Sequence, residues 1–175
     1  ELFCSRQAGT VVHHAYVGGL LEHTVNVAQI CDEMATRYQN KVHEAFNRDL
    51  LITAALLHDI GKLKEYKKFP FNKRTVTGKL IGHLNYGMAM VYSVTRELNI
   101  SFPNDDLDKL LHCLLAHHGV VDNTIPPMTI EALILSRADE LDARVNAFAT
   151  CIENDTNNDD FTYYNNVMDL YIYKK

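Results

Sequence analysis

The sequence predicts an all-α fold, a helical bundle with one small β-hairpin around residues 63–79. Apolar residues recur at three- and four-residue intervals along most of the chain, as they do on the buried face of amphipathic helices. Capping residues precede several of these stretches, and glycine follows two of them. The alternation of strands and helices that marks a parallel sheet is missing. At 175 residues, the chain is expected to form a single domain over 1–175.

The first helix is predicted over residues 16–38, after an irregular segment at 1–13. Its apolar side chains follow helical spacing, and His23 lies on or beside their stripe. A polar connector at 40–47 follows.

The second helix, predicted over 50–60, opens with an almost entirely apolar run and is expected to be buried. Asp49 is placed to cap its start, and Gly61 suits the left-handed position that ends a helix. His58 and Asp59 lie in its last turn. An unpaired buried carboxylate is costly, and the simplest compensation is a cation. His and Asp together are ligands of Zn, Mn or Fe.

The same cues divide the rest of the chain. A hairpin or ordered loop is predicted at 63–79, signalled by Pro70, Asn72 and the alternation at 75–77. A helix at 80–99 and a break at 101–104 follow, and the next helix is capped by Asp105 or Asp106 and ends at His117–Gly119. The remaining elements are a loop with Pro126 and Pro127, a helix at 130–149 capped by Thr129, a polar linker at 154–160, and a final aromatic helix at 161–173.

The composition excludes several classes of protein. No apolar run reaches the roughly 18 residues of a membrane span, and the first residues do not form a signal peptide. The four scattered cysteines form no C-x-x-C pair, which argues against a zinc finger. Cys31 and Cys113 fall among apolar helix positions, which predicts buried thiols in a reducing, cytoplasmic compartment. The first residue is Glu rather than Met, so we expect the chain to be part of a longer protein.

The net charge of −5 argues against a protein coated in basic charge for nucleic acid. One stretch is nevertheless basic and contains a single acid, Glu65. It is interpreted either as a lip that attracts phosphate or as an ordinary solvated surface. Its basic residues are Lys62, Lys64, Lys67, Lys68, Lys73, Arg74 and Lys79.

Polar residues at buried helical positions form the candidate site. They are His23, His58, Asp59, His83, His117, His118 and Asp139. Taken singly, each has an ordinary explanation, such as a hydrogen-bonded core histidine, a histidine at a helix end, or an aspartate paired with Arg137 or Arg144. A metal site built from several helices of a bundle explains all of them with one cause. His43 and His112 are assigned no role.

The order of these residues resembles the HD-domain superfamily of metal-dependent phosphohydrolases, over nearly the whole chain from His13. A narrower resemblance is to the HD domain of the YhaM-type 3′→5′ exoribonucleases. The segments that carry it are 13–24, 57–62, 78–83, 116–119, 127–132 and 161–165. Full-length members of that group carry an N-terminal OB-fold RNA-binding domain, which this chain lacks. We therefore expect the chain to be the C-terminal part of a longer protein.

The resemblance implies a role for each candidate residue. The implied ligands are His23, His58, Asp59 and Asp139 for a first metal and Asp59, His83 and His117 for a second, with His118 as a further ligand or a phosphate contact. Lys62 matches a lysine that approaches the phosphate, so Asp59 and Lys62 are the implied catalytic residues.

Further substrate-binding candidates are His14, Lys62, Lys79 and Arg144. His14 lies near Gly18 and Gly19, which allow close approach of the chain, although plain packing explains it equally well. Base stacking is assigned to Tyr66 or Phe69. Asp142, three residues past Asp139, is a candidate for orienting a metal ligand.

The implied reaction is metal-dependent hydrolysis of phosphodiesters, which releases nucleotides from the 3′ end of RNA or single-stranded DNA. Two ions about 3.5–4 Å apart can clamp such a phosphate. The His and Asp ligands suit one or two ions of Mn, Fe, Co, Ni or Zn better than Mg, which prefers oxygen. The expected partners are therefore nucleic acid or nucleotide and no membrane, and the sequence does not fix the oligomeric state.

Three alternatives stay open at this point. The first is a nucleotidase or phosphomonoesterase that acts on small nucleotides. The second is a non-catalytic HD module that binds a nucleotide. The third is an oxidation at a di-iron site, because the same ligands hold iron.

Overall fold

The computed structural model describes residues 2–9, 14–42, 46–67, 71, 73–103, 105–120 and 125–175, and in these residues the fold is helical. The helices are α1 (Gly19–Val42), α2 (Arg48–Leu57), α3 (Lys62–Glu65), α4 (Val76–Leu80), α5 (Gly82–Glu97), α6 (Asp106–Ala116) and α7 (Ile130–Asn154), preceded by a short 3-10 turn at Phe3–Ser5. The predicted all-α fold is confirmed. None of the described helices is long and apolar enough to cross a membrane.

Four helices, α1, α2, α6 and α7, pack around one apolar core, and α5 packs against α6. Their side chains in the core are Val27, Cys31 and Ala35 from α1, Leu51, Ala54 and Ala55 from α2, Leu110, Cys113 and Leu114 from α6, and Ala132, Leu135 and Ala138 from α7. The small residues among them allow the helix backbones to approach closely. This arrangement brings together the ends of α2 and α6, the start of α1 and the middle of α7.

Two of the predicted helix caps differ from the structure. Thr129 caps α7 as predicted, because its side chain accepts a hydrogen bond from Ala132 N. At α2, however, the cap is Asn47, which accepts from Leu50 N, and Asp49 lies in the first turn. Asp105 stands at the start of α6 without a side-chain cap bond.

The prediction that Gly61 adopts a left-handed conformation was wrong, because its φ is −63°. Glycine is required there for space instead. A Cβ at position 61 would lie 2.0 Å from the carbonyl oxygen of His83 and 2.7 Å from the nitrogen of Gly87. Gly119, by contrast, has the predicted positive φ of 70° just after α6.

The segment 63–79 was predicted to be non-helical, with a hairpin. It contains α3 and α4 instead, and its described part forms only an isolated antiparallel bridge between Tyr66 and Arg74. Gly78 in α4 packs so closely on α3 that a Cβ there would lie 2.4 Å from the Glu65 carbonyl oxygen. The hairpin signals Pro70 and Asn72 lie outside the described residues.

The final aromatic segment was predicted to be a helix, and this was wrong. Isolated bridges join Phe161 to Tyr173 and Asn165 to Leu170. The turn between them is held by the Asn165 side chain, which accepts from Met168 N at 3.0 Å. Tyr, Ile and Thr favour extended structure, and Asn favours turns, which explains the error.

The predicted helix at 80–99 corresponds to α5, which begins at Gly82, where φ is 74°, while Leu80 ends α4. Two other helices are longer than predicted. The first continues to Val42, into the predicted connector, and the last continues to Asn154.

Candidate metal centre

The predicted ligands converge on one point although five different parts of the chain supply them. They are His23 in α1, His58 and Asp59 in the turn after α2, His83 at the start of α5, His117 and His118 directly after α6, and Asp139 in α7. All of them except His83 and His118 are buried.

Asp59 lies at the centre, and its two oxygens face different histidines. Its Oδ2 lies 3.5 Å from His23 Nε2 and 3.4 Å from His58 Nε2. Its Oδ1 lies 3.6 Å from His83 Nε2 and 3.7 Å from His117 Nε2. The carboxylate therefore stands between two pairs of imidazole nitrogens.

Two further residues complete the two sides. On the Oδ2 side, Asp139 Oδ1 lies 3.0 Å from His23 Nε2 and 3.8 Å from His58 Nε2. On the Oδ1 side, His118 Nε2 lies 2.9 Å from His83 Nε2. We refer to His23, His58 and Asp139 as the first half-site, and to His83, His117 and His118 as the second half-site, with Asp59 between them.

The four histidines nearest Asp59 are all oriented by their outer ring nitrogen. The Nδ1 contacts are His23 to Asp142, His58 to the Ala55 carbonyl, His83 to Glu65, and His117 to the Leu114 carbonyl. Carbonyl and carboxylate oxygens only accept hydrogen bonds, so each Nδ1 carries the hydrogen. When the ring is neutral, its Nε2 then presents a lone pair to the centre, as a metal ligand must.

Buried polar atoms at the centre lack partners. Neither oxygen of Asp59, nor Nε2 of His117, forms a well-aligned hydrogen bond with any residue in the described part of the chain. Burying such groups without compensation is costly. Lys62 offsets part of this cost, because its Nζ lies 2.6 Å from Asp59 Oδ2. A divalent cation would satisfy the remaining atoms, so the residues present fit a metal ion.

The charges of the centre are strongly coupled. Burial alone would raise the pKa of Asp59, but the Lys62 ammonium and nearby histidines hold that pKa well below its usual range. Burial would lower the pKa of Lys62, but Asp59 raises it above its usual value. Burial lowers the pKa of His117 well below its usual value, so this ring is neutral.

In the metal-free centre, both ring nitrogens of His23 carry a proton. Burial opposes the charge of its ring, but hydrogen bonds to Asp139 and Asp142 outweigh burial and raise its pKa to about 9. The two aspartates therefore hold a positive charge on His23 at neutral pH. A metal ion bound at Nε2 would replace that proton.

The predicted substrate-binding residues do not lie together, because two are buried and two are exposed. Lys62 is buried against Asp59. His14, expected at the substrate, is buried as well, with its ring nitrogens against Asp142 and Tyr16. Lys79 and Arg144 are exposed, and Arg144 pairs with Glu140 at 3.1 Å. Among the described residues, neither Lys79 nor Arg144 forms a hydrogen bond or ion pair with the metal-ligand cluster.

Some of the residues around the centre were not predicted. Glu65 is buried, contacts His83 through both the ring and the backbone nitrogen, and pairs with Arg74 at 2.9 Å. Its position as the lone acid among basic residues was the available signal. Asn26 donates to Asp142 at 2.9 Å, and no feature of the sequence distinguished it.

The stacking prediction is partly corrected. Tyr66 is only 6% exposed, so its ring faces the protein interior and not a base. Phe69 lies outside the described residues. Phe71, by contrast, is 66% exposed.

The basic stretch is only partly a free cationic surface. Lys62 and Arg74 pair with acids, whereas Lys64, Lys67, Lys73 and Lys79 are exposed. Lys68 lies outside the described residues.

Comparison with known proteins places these residues in a family context. The family model described as HD domain matches residues 20–144. A protein named 3′-5′ exoribonuclease YhaM from Bacillus licheniformis is 33% identical over 153 residues, covering 86% of this chain and 46% of that relative. The protein of that name from Bacillus subtilis shows the same figures, and the one from Listeria innocua is 35% identical over 136 residues, 77% of this chain and 41% of the relative. The chain thus spans about half the length of the curated relatives it matches. No solved structure matches it significantly.

Proposed function

Because the chain belongs to the HD-domain family, we propose that it is a metal-dependent phosphodiesterase that removes nucleotides from the 3′ end of RNA or single-stranded DNA. The observation that carries this proposal is the position of Asp59, whose two oxygens face two separate pairs of imidazole nitrogens. A carboxylate so placed is suited to bridge two ions. Relatives that match most of this chain and bear the name exoribonuclease support the choice of nucleic acid.

The residues that would hold the metal are the two half-sites and Asp59. Their donors are mostly imidazole nitrogens, which favours one or two ions of Mn, Fe, Co, Ni or Zn over Mg. Bound ions would supply Lewis-acid polarisation of the scissile phosphate. The buried histidines would exclude water around such ions, and their Nδ1 hydrogen bonds hold the imidazole rings in position to bind them.

Lys62 is assigned to the scissile phosphate. Its Nζ lies 2.6 Å from Asp59 Oδ2, and its raised pKa keeps it charged at neutral pH. A phosphate bound beside Asp59 would accept a charge-assisted hydrogen bond from this ammonium. Lys62 thus places positive charge where negative charge develops during hydrolysis.

A longer nucleic acid, rather than a mononucleotide, is supported by the surface near the second half-site. Lys64 lies in α3, Lys79 in α4, and Lys67 and Lys73 in the loop between these helices. Their side chains are exposed. α3 and α4 adjoin the metal centre, because Glu65 of α3 contacts His83. These charges are placed to attract the phosphates of a strand whose 3′ end enters the centre.

We also place the protein in the cytoplasm, where its RNA substrate and reducing conditions for free thiols are found. All four cysteines are unpaired, and Cys31 and Cys113 are buried. Thiols of this kind persist in a reducing compartment.

The test is incubation of a 5′-labelled RNA with the chain and Mn²⁺. We expect a ladder of one-nucleotide steps from the 3′ end. Asp59→Asn should abolish it. Asp49→Asn makes the same change at a carboxylate that is 94% exposed and should leave it intact. Bis(p-nitrophenyl) phosphate, a small diester, measures the chemistry without an extended binding surface.

The outcomes separate the candidate functions. Release of phosphate from mononucleotides, without cleavage of the RNA or of bis(p-nitrophenyl) phosphate, would show that the chain is a phosphomonoesterase instead. Binding of Mn²⁺ without hydrolysis of any of these substrates would make the chain a binding module. Replacing Lys67, Lys73 and Lys79 by Gln should weaken RNA cleavage and its salt dependence but leave the small diester unaffected.

A further inference from the structure

A buried hydrogen-bond network lies behind His23, on the side away from the metal centre. Its centre is Asp142 in α7. Asp142 Oδ2 accepts from His23 Nδ1 at 2.6 Å and from His14 Nε2 at 2.9 Å. Asp142 Oδ1 accepts from Asn26 Nδ2 at 2.9 Å. Both oxygens of this carboxylate are therefore occupied by donors, and His23 is held by a group that His14 and Asn26 hold in turn.

His14 is fixed in an unusual conformation. Its φ is 44°, in the left-handed region that side-chain-bearing residues rarely adopt. Its backbone nitrogen donates to Asn146 Oδ1 at 2.9 Å, and its carbonyl accepts from Ala8 N at 3.1 Å. A Cβ at Gly19 would lie 2.1 Å from that carbonyl. The surrounding structure thus holds His14 in place, and its ring against Asp142.

The anchor of His23 differs from those of the other ligands. His58 and His117 each donate to a backbone carbonyl three residues earlier, an anchor that the helix itself supplies. His83 contacts Glu65, which a single arginine, Arg74, pairs with. Only His23, among the four, is held by a carboxylate that a second buried histidine also contacts. This anchor depends on side chains from the N-terminal segment and from α7.

We propose that His14 and Asp142 are positioning residues that act through His23. They fix the His23 ring with its Nδ1 hydrogen on Asp142 and its Nε2 directed toward Asp59 and Asp139. They thereby raise the affinity of the first half-site for a divalent transition metal, and affect the second half-site much less. This inference rests on the proposed function only in requiring that the centre binds such a metal.

The three side chains could alternatively ligate an ion themselves, because His14, His23 and Asp142 offer ligand atoms close together. The geometry favours positioning. The distance of 2.6 Å from His23 Nδ1 to Asp142 Oδ2 is that of a charge-assisted hydrogen bond. Asn26 and Tyr16 already contact the remaining polar atoms of Asp142 and His14.

The test is a titration of the metal-free chain with Co²⁺, followed by visible absorption, which gives the number of ions, their affinities and the ligand field. His14→Leu keeps the size of the side chain and removes the donor, whereas His14→Gln keeps a nitrogen donor near the position of Nε2. Asp142→Asn removes the charge of the acceptor. His112→Leu is the matched control, because His112 is a half-buried histidine that contacts Met128 N, outside the centre.

We expect His14→Leu and Asp142→Asn to weaken one Co²⁺ equivalent about 10- to 100-fold and to change its absorption spectrum. The other equivalent should change less than about threefold, and His14→Gln should restore most of the loss. Melting temperatures in EDTA show whether each variant folds. His112→Leu should match the wild type in Co²⁺ affinity, absorption spectrum and melting temperature.

Several results would overturn this inference. Equal loss in His14→Leu and His14→Gln would show that the donor is irrelevant. Equal weakening of both equivalents, with a lowered melting temperature in EDTA, would reduce the role of His14 to general stability. If His14→Leu bound one Co²⁺ ion fewer per chain than the wild type, His14 would be a metal ligand and not a positioning residue. A wild-type chain that binds Co²⁺ but cleaves no RNA would contradict the proposed function alone, whereas one that binds no Co²⁺ would contradict both.

Discussion

Lys62 Nζ lies 2.6 Å from Asp59 Oδ2, and both side chains are buried. The oxygen that Lys62 contacts is also the one that faces His23 and His58 of the first half-site. The ammonium therefore stabilises the metal-free centre and competes with a metal ion for Asp59. Under the proposed function, a metal ion that displaces Lys62 from Asp59 would leave this ammonium to contact the phosphate of the substrate.

Replacing Lys62 by Met should therefore separate stability from metal binding. Removing one partner of a buried ion pair should lower the stability of the metal-free chain by about 3 kcal/mol. Mn²⁺ should bind about tenfold more tightly, because a nearby positive charge is removed. Turnover should fall. Urea unfolding in EDTA and calorimetric titration measure these quantities, and Lys64→Met is the control at an exposed neighbour. Weaker Mn²⁺ binding by Lys62→Met would contradict the competition.

Glu65→Gln should weaken the second half-site. The Glu65 carboxylate accepts hydrogen bonds from the backbone nitrogen and the ring Nδ1 of His83. Burial would raise the pKa of Glu65, but His83 and Arg74 lower it, so Glu65 stays ionised. Loss of the charge should weaken one metal equivalent about tenfold. Arg74→Gln should have a smaller effect, since the Arg74 side chain is 54% exposed. Co²⁺ titration compares the two variants, and an equal effect would show that Arg74 controls Glu65.

Gly61→Ala should disturb both the fold and His83. The added Cβ would lie 2.0 Å from the His83 carbonyl oxygen, which is backbone and cannot move alone. We expect a loss of about 3 kcal/mol in urea unfolding. Gly82→Ala is a useful comparison, because its Cβ meets no atom within 4 Å and only its φ of 74° is unfavourable. That variant should lose about 1 kcal/mol. Equal losses would argue against the close contact.

The buried thiols should be unreactive in the folded protein. Burial raises the pKa of Cys31 and of Cys113 to about 12. The thiolate is the reactive form, so at pH 8 only about one part in 10⁴ of each thiol is reactive, and this fraction rises with pH. Iodoacetamide at pH 8, followed by peptide mass spectrometry, should modify the exposed Cys4 rapidly. Cys31 and Cys113 should react only in urea, and rapid modification of either in the folded chain would contradict their burial.

The candidate ligands could be predicted from the sequence because buried polar residues contrast with an apolar helix pattern. His23 and Asp139 are separated by more than a hundred residues. Before the fold was known, they were linked by the shared need for compensation and by the resemblance to the HD-domain superfamily. Glu65 was harder to predict, because a lone acid among lysines has the appearance of a solvated residue. Its burial depends on α3 and α4 packing together, which local sequence does not specify.

Gly61 shows a second limit of sequence patterns. Glycine after a helix can be required for a positive φ or for a close backbone contact. The sequence shows a glycine in either case. The choice at Gly61 depends on α5, whose residues His83 and Gly87 are distant in sequence. His14 is a similar case, because its partner Asp142 lies in the last helix.

The most direct test of the metal centre is anomalous diffraction from crystals of the chain grown with Mn²⁺. We expect two peaks about 3.5–4 Å apart, one among His23, His58 and Asp139 and the other beside His83 and His117, with Asp59 between them. Mn²⁺ peaks elsewhere, with the Asp59 carboxylate bound to no ion and still paired with Lys62, would rule out this metal centre.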